Sequence, residues 1–260
     1  MDNLAIISTE STRFADVLAA TDPQARCPTC PDWNAADLLW HLTEVHLFWA
    51  GVLGLPALTD EQVEQVEAAK PPRPASVPDL LTLRARATEE LLGQLAQADD
   101  ADPRWSWFPD DQTVGFTRRM QTYEATMHRV DAELTAGLPI TPLATDVAAG
   151  AVDHCVDVMW GWLPEWATYE PLAVAELVAS DTGQRWLVEL GHWTGTGPES
   201  GRAFDDPRAV RASAGTPTVT VTAPVADLAL WAWTRGGTVE IAGDEDGRAA
   251  LARLIDHGIP

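Results

Sequence analysis

Residues 34–55 read NAADLLWHLTEVHLFWAGVLGL. Asn34 is a good N-cap, and Asp37 falls in the first turn, where a carboxylate meets the positive end of the helix dipole. Apolar residues then recur at helical spacing until Pro56 ends the run. This is one long helix. Leu38, Leu39, Leu42 and Val45 surround His41, which places that histidine towards the interior of whatever the helix packs against. His46 lies five residues on, about 140° round, and belongs to another face. Glu44 stands nearer to the face of His41, as a candidate outer partner.

Similar signals repeat on either side. Residues 3–21 carry Leu4, Ile7, Phe14, Val17 and Leu18 at roughly helical spacing. Pro23, Pro28 and Pro31 then mark a loop. After residues 57–75, a short acidic helical turn and a proline-rich connector, Ser76-Val-Pro-Asp79 opens another helix, with proline in its first turn. Leu80, Leu81, Leu83, Leu91, Leu92 and Leu95 follow along it. A tryptophan-rich loop, DPRWSWFPDD, leads to a helix from about Thr113 to Leu134 that stops at Gly137-Leu-Pro139. Four helices of this length predict a four-helix bundle over 1–140. The segment 141–167 reads as a connecting helix, at about 144–163. From 168 to 260 short β-signals (AVAELVA, RWLVEL, TVTVTA, TVEIAG) mix with two helices, ADLALWAWTR and DGRAALARLIDHG, and predict a small α+β domain.

Composition fits a globular chain. Of 260 residues, 46% are apolar and 22% charged, enough to bury a core without disulfides. With 39 acidic against 17 basic residues the net charge is -22. Such a surface repels phosphate backbones and anionic lipid, so neither nucleic acid nor membrane is an expected partner. The N-terminal stretch lacks a signal-peptide pattern, and no run approaches the ~20 apolar residues of a membrane span. A cytoplasmic location is expected, and three cysteines argue against a disulfide framework. Twelve tryptophans include the pairs Trp105/Trp107, Trp160/Trp162 and Trp231/Trp233. Alternate residues on a helix cannot both face the core, so some of these should line a cleft or surface.

Two motifs compete for the chemistry. Cys27-Pro-Thr-Cys30 is a C-x-x-C, but the remaining cysteine, Cys155, is far off in a predicted helix, so a zinc knuckle lacks its other ligands. A thioredoxin-like site needs a strand-to-helix junction, and this pair lies between helices. The other motif is Glu124-Ala-Thr-Met-His128-Arg-Val-Asp131. Glu124 and His128 lie ~40° apart on a helix, and Asp131 about 20° from Glu124. An isolated Glu/His pair of this kind is usually a surface pair. Joined to an interior His41, it has the geometry of a metal site in a bundle core. His41, Glu124 and His128 then supply three ligands and leave the fourth position open, as in catalytic rather than structural zinc sites.

The segments CPDWNAADLLWHL, YEATMHRVDAEL, TDVAAGAVDH and DLALWAWTR together resemble the mycothiol-dependent maleylpyruvate isomerase family. The resemblance runs over nearly the whole chain. It implies a DinB-like metal-binding four-helix bundle followed by a sterol-carrier-like α+β domain. It further implies that His41, Glu124 and His128 are the metal triad, usually for zinc, and that Asp131 is the acidic residue one turn beyond. Arg235 matches an arginine that reaches from the C-terminal domain towards the cleft. Cys30 matches the family's loop cysteine, Cys27 is an addition, and the C-x-x-C is read as incidental. The pattern departs from the family at Val130, where an aromatic residue is expected.

The expected function is a metal- and mycothiol-dependent enzyme in which a metal-bound thiolate attacks a small electrophile. The outcome is either cis–trans isomerisation or thiol S-transfer. The divalent metal is zinc by resemblance, although two imidazoles and a carboxylate also accept nickel or iron. Asp131 would handle protons or orient a ligand imidazole, and Arg235 would clamp a substrate carboxylate. Arg118, Arg119 and Arg129 flank the same helix as further cations. Mycothiol and a small electrophile are the expected partners of a monomer or small homo-oligomer. The alternative is a non-catalytic small-ligand-binding protein whose metal is structural or absent.

Overall fold

The computed structural model describes residues 1–259. The chain divides into two compact units, Met1–Thr141 and the chain from Pro142 onward. Among the described residues no helix is long and apolar enough to cross a membrane.

The first unit is helical: α1 (Asn3–Ala19), α2 (Ala35–Gly54), α3 (Asp60–Ala69), α4 (Val77–Gln97) and α5 (Val114–Thr135). Each begins at a side-chain cap, supplied in turn by Asp2, Asn34, Thr59, Ser76 and Thr113. At α2 the cap is reciprocal. Asn34 accepts from Asp37 N–H at 2.9 Å, and Asp37 accepts from Asn34 N–H at 3.0 Å. Asn34→Ala removes one half of this box. It is expected to lower stability by about 1 kcal/mol, read from the midpoint of urea unfolding.

α1 packs on α5 and α4, and α2 on α4 and α5. Phe14, Val17, Leu18, Leu38, Leu39, Leu42 and Leu80 form one shared cluster. The helix α5 is buried along most of its length although its sequence is polar. Thr117, Gln121, Thr122, Thr126, His128, Arg129, Asp131 and Glu133 are all buried. Buried polar groups need partners, and a helix carrying so many is built for more than packing.

Glu133 and its partners show how part of that burial is satisfied. Glu133 accepts from Arg13 Nε and Arg129 Nη1, each at 2.9 Å, and from the Thr141 amide at 2.8 Å and hydroxyl at 2.6 Å. Arg129 also donates from Nε to Glu10 at 2.6 Å. Burial raises the Glu133 carboxyl, but Thr141 and the two guanidinium groups outweigh it and hold it below the usual carboxylate range. The network ties α1 to α5. Arg129 is therefore a structural cation of the core rather than a flanking one.

The second unit starts with α6 (Thr145–His154), which passes into a π-helical turn at Cys155–Met159. The regular helix is thus shorter than the sequence predicts. A five-stranded sheet follows: β1 (Thr168–Ala179), β2 (Arg185–Thr196), β3 (Ala203–Arg211), β4 (Val219–Ala223) and β5 (Glu240–Gly243), in the order β3-β2-β1-β4-β5. β1 and β4 run parallel and the other pairs are antiparallel. Helices α7 (Val225–Ala232) and α8 (Glu245–His257) pack on it. The strand β3 has no counterpart in the sequence reading. It contains Pro207 and two aspartates, residues poor in strands, but it lies at the sheet edge, where proline is tolerated. His192 is on β2 between Glu170 and Asp205.

Candidate metal centre

The helix α2 delivers His41 two turns past its cap, and α5 delivers Glu124 and His128 one turn apart. Glu124 Oε1 lies 3.4 Å from His41 Nε2 and 3.2 Å from His128 Nε2. One ligand atom from each of the three residues lies within 4.8 Å of the others. The imidazole rings of His41 and His128 meet edge to face at 4.7 Å, and Trp33 tilts against His41 at 4.6 Å.

His41 is not an interior residue. Its side chain is 32% exposed, that of Glu124 23%, and that of His128 6%. The core stripe of α2 runs through Leu38, Leu42, His46 and Trp49, and His41 projects from its edge. The cluster therefore has a buried end at His128 and a solvent-reachable end at His41.

Behind His128 stands Asp131, fully buried. Its Oδ2 accepts from His128 Nδ1 at 2.9 Å, and its Oδ1 accepts from the Thr29 hydroxyl at 2.5 Å. This bond fixes the ring and turns Nε2 towards Glu124 and His41. A carboxylate on the far nitrogen is the usual outer partner of a ligating histidine. Burial lowers the His128 imidazole, but Glu124 and Asp131 outweigh it and push it up to about 9. Burial raises the Glu124 carboxyl, and the two imidazoles more than reverse this, holding it well below the usual range. Two imidazole nitrogens and an anionic oxygen thus converge on one point. The donor set fits such a cation.

Other residues singled out by sequence lie elsewhere. Glu44 pairs with Lys70 at 2.9 Å. Arg119 pairs with Asp111 at 2.5 Å, and Arg118 pairs with Asp100 while bonding the carbonyls of Leu95 and Ala98. In the second unit, Arg235 is buried and donates to the carbonyls of Trp233 at 2.7 Å and Ile259 at 3.1 Å. Trp105 and Trp107 line a surface cleft of about 670 Å³ whose walls include none of the three clustered ligands.

His46 and Arg84 form an interior pair that the sequence reading missed. Arg84 Nη1 donates to His46 Nδ1 at 3.2 Å, and both residues are buried. The signal was present: Arg84 falls on the same α4 stripe as Leu80, Ala87, Leu91 and Leu95. A guanidinium facing Nδ1 makes that nitrogen an acceptor, so the ring is neutral. Burial, then Arg84, hold the His46 imidazole well below its usual value. A group depressed in the folded state contributes stability above its unfolded pKa of about 6.5 and loses it as pH falls. This contribution falls by about 1.4 kcal/mol per pH unit below that point. His46→Gln keeps an acceptor for Arg84, and urea unfolding between pH 6.5 and 5 is expected to show this slope in the native protein but not in the variant.

The sequence profile of the mycothiol maleylpyruvate isomerase N-terminal domain matches residues 4–133, half of the chain. No curated protein matches the sequence. The crystal structure of the mycothiol-dependent maleylpyruvate isomerase superposes with a TM-score of 0.59 at 13% identity, covering 94% of this chain and 93% of that one. A histidine-to-alanine mutant of that isomerase gives the same values. At this identity the likeness shows the fold.

Proposed function

The chain belongs to the mycothiol maleylpyruvate isomerase family, and on that footing we propose that it is a metal- and mycothiol-dependent cis–trans isomerase of a small electrophile. In this reading the thiolate of mycothiol adds to an activated double bond, the resulting single bond rotates, and elimination returns the thiol. The first unit is read as a DinB-like four-helix bundle, supported by the packing of α1, α2, α4 and α5 around one core. The second is read as a sterol-carrier-like domain, supported by its sheet with α7 and α8.

The observation that carries the proposal is the convergence of His41, Glu124 and His128 at a point open to solvent on the His41 side. These residues would hold a divalent cation, taken as zinc, which as a Lewis acid makes a thiol available as thiolate at neutral pH. His128 is held in one orientation by Asp131. Because Asp131 is sealed behind that ring, its proposed role is positioning rather than contact with substrate. Trp33 forms an apolar wall beside His41. The family resemblance alone keeps Arg235 as the proposed partner of a substrate carboxylate; in the second unit its guanidinium is buried and already donates to the carbonyls of Trp233 and Ile259. Arg235→Lys keeps the charge and loses the planar fork. It is expected to raise KM about tenfold with kcat little changed, the pattern of lost uniform binding.

Thiol S-transfer is the second reading. It is favoured by the engagement of Arg118, Arg119 and Arg129 with carboxylates of their own, which leaves them committed elsewhere when a diacid substrate would need them. Product analysis separates the two. Zinc-loaded protein is incubated with mycothiol and maleylpyruvate and followed by NMR. The trans isomer with thiol conserved supports isomerisation. A stable S-adduct with thiol consumed in equal amount supports transfer. Neither product from zinc-loaded protein refutes both.

A further inference from the structure

The C-x-x-C has no part in the chemistry above, yet its loop is built against the metal-ligand cluster. Cys27 N–H donates to Trp33 O at 3.0 Å, Trp33 N–H donates to Cys30 O at 2.9 Å, and Arg26 bridges to Asn34. The seven residues from Cys27 to Trp33 are thereby closed into a ring at the start of α2. Cys27 is buried in the core cluster with Phe14 and Leu38, and half-buried Cys30 packs against it. Cys30 is the neighbour that acts most strongly on the Cys27 thiol.

The loop touches the cluster at two points. Trp33 tilts against the His41 ring at 4.6 Å. Thr29, between the two cysteines, lies 3.3 Å from Cys27 Sγ and donates to Asp131 at 2.5 Å. Asp131 in turn holds His128. Thr29 has one hydroxyl proton, and it is given to Asp131. A covalent bond between the flanking sulfurs adds a second closure to the two-residue link that carries Thr29.

We propose that Cys27 and Cys30 are a thiol–disulfide exchange site for low-molecular-weight disulfides, and that closing the disulfide resets the Thr29–Asp131–His128 chain behind the candidate metal centre. The half-buried Cys30 is the sulfur a reagent reaches, and the buried Cys27 is the resolving one. The Cys30 thiolate attacks one sulfur of RS–SR, forming Cys30–S–S–R and expelling RS⁻. Cys27 then attacks the Cys30 sulfur and expels the second RS⁻. The protein gives up two electrons and two protons, and the reagent leaves as two RSH. The hydrogen bond from Cys30 lowers the Cys27 thiol to about 5 against the opposing effect of burial. That lowering belongs to the resolving sulfur and favours its thiolate in the second, intramolecular attack. Cys155 is a contrast: burial raises its thiol well above the usual value, with Arg235 opposing.

The test uses the full chain as purified, with oxidised glutathione as the disulfide. Free thiols are alkylated with iodoacetamide and mapped by mass spectrometry. The native protein is expected to give a Cys27–Cys30 disulfide. Cys27→Ser should stop at a glutathione mixed disulfide on Cys30, and Cys30→Ser should react at least about tenfold more slowly, since its remaining loop thiol is shielded. The imidazole ¹⁵N resonances of His128 and His41 should shift on oxidation while that of His192, on β2, stays in place. A native protein that keeps both thiols, or that accumulates an unresolved mixed disulfide, overturns the exchange site. A disulfide that forms without moving the His128 resonance overturns its coupling to the cluster. Neither readout requires turnover or bound metal, so failure here is distinct from failure of the isomerase reading.

Discussion

Replacing His128 by alanine is expected to weaken zinc binding by more than about 100-fold, because removing even an outer partner of a ligand costs about 10–100-fold. His128 supplies the most buried nitrogen of the cluster, and Asp131 is committed to orienting it. His41→Ala should behave in the same way despite its partial exposure, since its Nε2 closes the set from α2. His46→Gln should bind zinc like the native protein, because that ring faces Arg84 and Thr88. Competition with a chelating dye on protein purified without a metal-affinity tag measures all four. Helical circular dichroism of the His41 and His128 variants should remain unchanged, as the shared apolar cluster of the bundle does not include those side chains.

The second large effect concerns stability. Glu133→Ala removes the carboxylate that accepts from Arg13, Arg129 and Thr141 and leaves the Arg129 guanidinium, 1% exposed, short of a counter-charge. Breaking a buried pair from one side costs about 3–5 kcal/mol. Glu10 still faces Arg129 Nε, which favours the lower end of that range. Arg13→Ala, whose side chain is 45% exposed, should cost less than about 1 kcal/mol. Urea unfolding of the two variants side by side reads the difference.

The helical first unit was legible because each helix announces its start. Asn34, Ser76 and Thr113 are side-chain caps visible as residue types, and the leucine spacing of α4 gives its period. The Glu124, His128 and Asp131 stripe was legible for the same reason: helical geometry alone puts them on one side. The depth of each group was not. His41 sits among leucines in sequence yet projects from the edge of the core stripe, whereas His46 and Arg84, which look like surface residues, are interior. Periodicity says which residues share a face, but only packing says how far that face is buried. The strand β3 escaped because an edge position relaxes the demand for β-branched and apolar residues. The link from Cys27 and Cys30 to His128 escaped because it runs through a loop whose fold against α5 brings Thr29 to Asp131 across 102 positions of sequence.

The central claim is that the His41, Glu124 and His128 cluster serves a thiol-dependent isomerisation. The most direct measurement is the initial rate of maleylpyruvate isomerisation by zinc-loaded native protein, with and without mycothiol. Turnover that requires the thiol and disappears in zinc-treated His128→Ala is the predicted result. An equal rate in the absence of mycothiol, or an undiminished rate in His128→Ala, would contradict it.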